Sequence, residues 1–190
     1  MAKLSDYFAD VLDVDDQRKL TQYCWFCITI NLRLQGQEIQ VGLKKTDIVF
    51  EENGSVPLGI DFLSKNYRAG DGGGEFQSAG RITDPRQVSA LRKLLEKSHP
   101  DIPRLFRRVH LHWKSSDKVW FMKMALGHNL LSNMMRRISE SAGLSRVYTN
   151  HRLHATSSTA LRKAGFSDRM ICSVSGHKNP TSLQAYKKSR

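Results

Sequence analysis

The chain has 190 residues, of which 39% are hydrophobic and 25% charged, proportions that are typical of one globular domain. No run of about 18 consecutive apolar residues occurs, so we expect no transmembrane helix. Residues 1–16 lack the basic start and apolar core of a secretory signal. The three cysteines, an odd number, exclude a scaffold built from disulfides and favour a reducing compartment.

The charge is strongly basic and unevenly distributed. Thirty Lys and Arg against 18 Asp and Glu give a net charge of +12. Residues 145–190 carry nine basic side chains against one acid, whereas residues 1–26 carry three against five. A balance of this kind indicates a polyanionic partner, nucleic acid before a membrane surface. A solvated basic face without a partner is the alternative that charge alone leaves open.

The first half of the chain predicts a buried helix followed by a hairpin. Residues 1–16 form a leader or a short helix, and Asp15 or Asp16 caps a helix that is apolar on most faces and runs through Ile30. The alternation of Thr46–Glu51 predicts a strand, and the turn signal at residues 52–54 leads to a returning strand at Leu58–Ser64. A glycine-rich loop follows at Arg68–Gly80.

The second half predicts mostly helices. Asp84-Pro85 opens a helix with Val88, Leu91, Leu94 and Leu95 on one face, and Leu105–Trp113 forms a strand. Four further helices are expected at residues 129–142, 151–164, 167–175 and from residue 179 onward. The predicted fold is therefore α+β, mostly helical, with a small antiparallel sheet.

Three local motifs carry little chemistry. The CxxC of Cys24 and Cys27 lies inside the apolar helix and lacks a second pair, so we expect both thiols in the core. The histidine pairs 110/112 and 151/154 have no evident third ligand, and the glycines at 72–74 lack the GK[ST] of a phosphate loop. We therefore expect no metal ion and no cofactor.

The end of the chain carries the most specific pattern. Residues 150–156 (N-H-R-L-H-A-T) begin a helix, an Ala-Gly-Phe break follows at 164–166, Ile171 comes next, then Gly176-His177, and Tyr186 stands nine residues after His177. This pattern resembles the C-terminal signature of the tyrosine recombinases. Residues 129–144 and 148–151 resemble in particular the crypton-type recombinases and the domesticated domains derived from them, as in vertebrate zinc-finger MYM-type proteins. The resemblance covers residues 17–190 as a catalytic domain, and the N-terminal core-binding domain of the family has no counterpart.

The resemblance implies an attack on a DNA phosphodiester that forms a 3′-phosphotyrosyl bond without ATP or metal. Tyr186 would be the nucleophile, and His177 and His151 would serve the phosphate and proton transfer. Lys65, at the end of the second hairpin strand, would be the general acid. Other basic residues would contact the DNA backbone, namely Arg152, Arg162, Lys178 and Lys187.

Two positions depart from the family pattern. His154 stands where the family has its second arginine, and histidine offers one donor in place of a bidentate fork with a fixed charge. Arg33, the candidate for the first arginine, lies one or two residues from the expected position. The sequence thus leaves open an active DNA strand transferase, a domesticated and inactive DNA-binding module, or a protein-interaction domain. The expected partners are double-stranded DNA and further copies of the chain on DNA, and the expected location is the nucleus in a eukaryote.

Overall fold

The computed structural model of the protein describes residues 2–32, 37–57 and 81–167, in which most helices surround one long central helix. In chain order the elements are α1 (Ala2–Tyr7), α2 (Gln17–Leu32), α3 (Gln37–Gly42), a 3₁₀ helix (Lys45–Asp47), β1 (Val56–Pro57), β2 (Arg81–Ile82), α4 (Pro85–Glu96), β3 (Arg107–Val109), β4 (Phe121–Ala125), α5 (His128–Ser132), α6 (Met134–Ser141) and α7 (Asn150–Lys163). The strands pair as two antiparallel ribbons, β1 with β2 and β3 with β4. The predicted α+β class, mostly helical with a small antiparallel sheet, is confirmed.

The helix α2 is the centre of the core, as its apolar composition predicts. Asp16 begins it, because its carboxylate accepts the Lys19 backbone N–H at 2.8 Å. The side chains of Cys24 and Trp25 are fully buried, and α2 packs against α4, α6 and α7. The polar Trp25 indole is satisfied by a donation to Gln40 Oε1 at 3.1 Å. The residues before α2 also reach this core, since Phe8 and Val11 are buried.

Both cysteines of the CxxC motif lie in this core, as predicted. Burial raises the pKa of Cys27 to about 12, and it raises that of Cys24 well above its ordinary value. The thiols are therefore held neutral, so they contribute packing and have little nucleophilic character.

The helix α4 begins where the Asp-Pro pair predicts. The Asp84 carboxylate accepts the backbone N–H groups of Arg86 and Gln87 at 2.9 and 3.0 Å. Val88, Leu91 and Leu94 face the core. The remaining predicted helix within the described residues, α7, ends before Gly165, which adopts φ 87° and donates its N–H to the Arg162 carbonyl at 3.0 Å.

The predicted strand at Thr46–Glu51 is wrong. Its first half is the 3₁₀ helix, because the Asp47 carboxylate accepts the Lys44 backbone N–H at 2.6 Å and so stabilises a local turn. The turn at residues 52–54 is present, with Gly54 at φ 78°. It leads into β1, which pairs with β2. Val56 stands opposite Ile82, so the ribbon joins two segments that are far apart in the sequence.

Two further predictions need correction. Of the strand expected at Leu105–Trp113, only β3 (Arg107–Val109) forms. Its partner β4 was not predicted. The single helix expected at residues 129–142 is broken into α5 and α6 at Asn133, although Leu131, Met134, Met135 and Ile138 do face inward as predicted, and Leu130 is half-buried.

Several predictions fall outside the described residues. These are the returning strand Leu58–Ser64, the loop Arg68–Gly80 and the two last helices, in residues 168–190. Among the described residues, no helix combines the length and the apolarity that a membrane crossing would need.

Candidate functional site

The start of α7 is the part of the predicted site that the structure describes. His151 and Arg152 are exposed there, whereas Leu153 turns inward and is 8% exposed. His154 lies one helical turn after His151 in the same helix, and only its backbone is described. The helix α7 therefore packs one side on α2 and α6 and presents His151 and Arg152 to solvent.

A buried asparagine fixes this end of α7. The Asn150 side chain accepts the Met135 backbone N–H at 3.0 Å through Oδ1 and donates to the Leu131 carbonyl at 2.9 Å through Nδ2. Its two partners lie at the break between α5 and α6, where the backbone groups lack helical partners. Asn150 thus joins three helix ends, and it positions His151 next to it.

A buried serine fixes the connection that leads into α7. Ser139 Oγ accepts the Tyr148 backbone N–H at 3.0 Å and donates to the Met135 carbonyl at 2.8 Å. The sequence predicted no role for Ser139 or Asn150. Ser139 follows the inward-facing Ile138 in an amphipathic helix, a pattern that does not identify its partners, and Asn150 stands among polar residues, so no local signal marks it as buried.

The surface around the start of α7 is basic. Residues 142–156, which lead into α7 and form its first two turns, contain Arg146 and Arg152 and no Asp or Glu. Arg136, Arg146 and Arg152 are all exposed. A cluster of cations with so few carboxylates attracts a polyanion, and salt is expected to weaken that attraction.

The predicted site residues divide into those described and those not. His151, Arg152 and Arg162 are described, together with the backbone of His154. Arg162 is half-buried in the last turn of α7, about 16 Å along the helix axis from His151, so it does not share that end. The others lie outside the described residues, namely Arg33, Lys65, His177, Lys178, Tyr186 and Lys187.

No group of three His, Cys, Asp or Glu side chains converges as metal ligands anywhere in residues 2–32, 37–57 and 81–167. His110 and His112 stand with ring centroids 6.4 Å apart, and the His112 backbone N–H donates to His110 Nδ1 at 3.3 Å. The described chemistry is therefore that of cationic hydrogen-bond donors on a rigid helix end.

The sequence matches no protein-family model and no curated protein, but solved structures match the fold. XerA recombinase aligns with a TM-score of 0.61 at 18% identity, covering 100% of this chain and 57% of that chain. XerH site-specific recombinase bound to its difH substrate, in a pre-cleavage complex, gives 0.59 at 18% identity, covering 97% and 48%. The Tn1549 transposon integrase in complex with a circular intermediate DNA gives 0.52 at 17% identity, covering 96% and 58%.

These neighbours are tyrosine recombinases, and the chain has the fold of their catalytic domain. It spans about half the length of the solved chains, between 48% and 58% in these three.

Proposed function

We propose that the protein is a DNA breaking-and-rejoining domain of the site-specific recombinase or integrase type. The observation that carries the proposal is the start of α7, where His151 and Arg152 are exposed beside the buried Asn150 in a fold shared with tyrosine recombinases. The offset of nine residues between His177 and Tyr186 supports it from the sequence.

In the proposed reaction, the Tyr186 hydroxyl gives its proton to His151, Tyr186 Oη forms a bond to phosphorus, and the bond between phosphorus and the 5′ oxygen breaks. Lys65 supplies the proton that leaves with that oxygen, which becomes a 5′-hydroxyl. His151 and His177 donate to the nonbridging oxygens, on which negative charge accumulates. The phosphotyrosyl ester keeps the bond energy, so the reverse attack by a 5′-hydroxyl rejoins DNA without ATP.

A second candidate function follows from His154. A histidine at the position of the family's second arginine removes a bidentate donor with a fixed charge, which lowers the rate by roughly three to four orders of magnitude. A domesticated, inactive module that binds DNA, or a protein partner, would keep the fold and the basic surface. The intact Tyr186 and His177 favour the active domain, and His154 and the displaced Arg33 favour the module.

Three finer statements belong to the same proposal. The chain is related to crypton-derived domains of transposable-element origin, as the residues quoted from 129–151 indicate. It binds double-stranded DNA and assembles with further copies on that DNA, because strand exchange joins four ends. It acts in the nucleus if the source is eukaryotic.

The test is a DNA duplex with a 5′-bridging phosphorothiolate at one position, because its thiolate leaves without a general acid and does not reseal efficiently. We expect a covalent adduct that survives denaturing electrophoresis with the wild type and disappears with Tyr186→Phe. Tyr148→Phe is the matched control, since Tyr148 is a half-buried tyrosine two residues before Asn150 that the proposal leaves out of the chemistry. Relaxation of a supercoiled plasmid reports the complete cycle.

The outcomes separate the two candidate functions. An adduct that depends on Tyr186 establishes the phosphotyrosyl route. No adduct together with salt-sensitive duplex binding selects the DNA-binding module. An adduct of equal yield in Tyr186→Phe contradicts the assignment of the nucleophile.

A further inference from the structure

A groove of about 420 Å³ lies on the described surface between the start of α2, the β3–β4 ribbon and the α5–α6 pair. It is lined by residues of five elements and none of α7, so neither His151 nor Arg152 lines it. No part of the proposed recombination chemistry uses it.

Four arginines line the groove, and no Asp or Glu of the described ranges does. Arg18, Arg108 and Arg137 are exposed, and none of them forms an ion pair with a described residue. Arg107 is 1% exposed and donates through Nη2 to the carbonyls of Ile102 and Arg104. Its buried Nε and Nη1 have no partner among the described residues.

Beside the arginines, the lining is mainly apolar, with Thr21 and Gln22 as its two other polar residues. Leu111 is 79% exposed and Met122 is 38% exposed, while Leu126 and Leu130 are half-buried and Met134 is buried. Leu111 and Met122 line the same groove, so apolar side chains of a ligand can cover both. Methionine adapts to differently shaped partners, because its side chain is unbranched and polarizable.

We propose that this groove binds an acidic amphipathic peptide segment of a partner protein, with apolar anchors on the methionine and leucine side chains and carboxylates on the arginines. Arginine binds a carboxylate with two parallel hydrogen bonds, so the exposed Arg18, Arg108 and Arg137 favour a ligand with acidic residues beside its apolar anchors. The lining of leucine and methionine side chains disfavours a bare phosphate backbone, which offers no apolar group to cover them.

Charge also argues against the chain's own last segment as the occupant. Residues 168–190 contain five Lys and Arg and one acid, so the three exposed arginines of the groove would repel them. The charge of the groove therefore favours an acidic partner.

The test uses the full chain and a synthetic fluorescein-labelled helical peptide of about 16 residues, with leucines on one face and glutamates beside them. The same peptide with lysine for every glutamate, and one with serine for every leucine, are the ligand controls. We expect the glutamate peptide to bind at least about tenfold more tightly than either control in fluorescence anisotropy.

Matched variants locate the binding. Arg137→Glu and Met122→Glu should each weaken the glutamate peptide about tenfold or more. Arg136→Glu should change it less than about threefold, because Arg136 is the equally exposed neighbour on α6 that does not line the groove. Methyl NMR of methionine-labelled protein gives an independent readout, since Met122 and Met134 line the groove and Met135 does not.

Every outcome decides the proposal. Loss of binding that follows Arg137 and Met122 but not Arg136, with shifts of the Met122 and Met134 methyl signals, supports it. If Arg136→Glu weakens binding of the glutamate peptide as much as Arg137→Glu does, the peptide is attracted by net charge alone and the proposal is overturned. No preference for the glutamate peptide, or the same methyl shifts with a DNA duplex and none with the peptide, also overturns it, and the latter assigns the groove to DNA.

Discussion

Replacing Asn150 with alanine should destabilise the protein far more than a single side-chain hydrogen bond at the surface would. The amide makes two buried contacts, from the Met135 N–H at 3.0 Å and to the Leu131 carbonyl at 2.9 Å. A buried backbone group that loses its partner costs about 1–3 kcal/mol, because it lost its hydration on folding and gains nothing in return. The Leu131 carbonyl also accepts the Asn133 backbone N–H, so only the Met135 N–H is left without a described partner, and we expect a loss of about 2 kcal/mol in the free energy of unfolding.

For a chain of this size, about 1 kcal/mol lowers Tm by roughly 2–4 °C, so Asn150→Ala should lower it by about 4–8 °C. Calorimetry or circular dichroism melting measures the shift, and urea unfolding measures the free energy directly. Asn133→Ala is the matched control, since Asn133 is exposed and donates to the Asn129 carbonyl at 2.9 Å. Its expected cost is within about 0.5 kcal/mol. If Asn150→Ala and Asn133→Ala have equal Tm, the conclusion that the Asn150 side chain holds α5, α6 and α7 together is refuted.

Three further predictions concern the proposed catalytic site, the proposed contact with DNA and the core. His154→Arg should raise the yield of the covalent adduct, since it restores a bidentate cation beside the phosphate, and an unchanged or lower yield would contradict that role. Duplex affinity should fall at least about tenfold between 50 and 200 mM salt in an anisotropy titration, because bound cations release condensed counterions, and a flat salt response would exclude phosphate contacts. Burial raises the pKa of Cys27 to about 12 and that of Cys24 well above 9.0, so the stability they contribute is complete below the unfolded thiol pKa of 9.0 and falls as pH rises from 9 towards 12. Equal midpoints of urea unfolding at pH 8 and pH 10 would contradict this loss of stability.

The helices were predictable where a local signal sets both ends. The Asp16 and Asp84 carboxylates and the Gly165 backbone each act on groups within three residues of themselves, so the sequence alone contains the cause. Strands lack such local causes. The partner of β1 is about 25 residues away at β2, and Thr46–Glu51 has a strand-like alternation that the Asp47 side chain overrides.

The break between α5 and α6 was not predictable for a similar reason. Residues 129–142 have a continuous helical pattern of apolar positions, which predicts one helix. What makes the break tolerable is Asn150, which reaches back 15 and 19 residues to the interrupted backbone groups. The sequence placed His151 at a helix start correctly, but it did not show that a tertiary hydrogen bond holds this start.

The net charge of +12 had suggested one polyanionic partner, and the described surface divides that charge between two different places. Around the start of α7 the cations stand among polar residues on rigid helix ends, an arrangement suited to phosphate. Around Met122 and Leu111 the cations border apolar side chains, an arrangement suited to a peptide with carboxylates. The net charge counts both groups of cations together. It cannot distinguish them, because the groove is assembled from residues that are spread between positions 18 and 137.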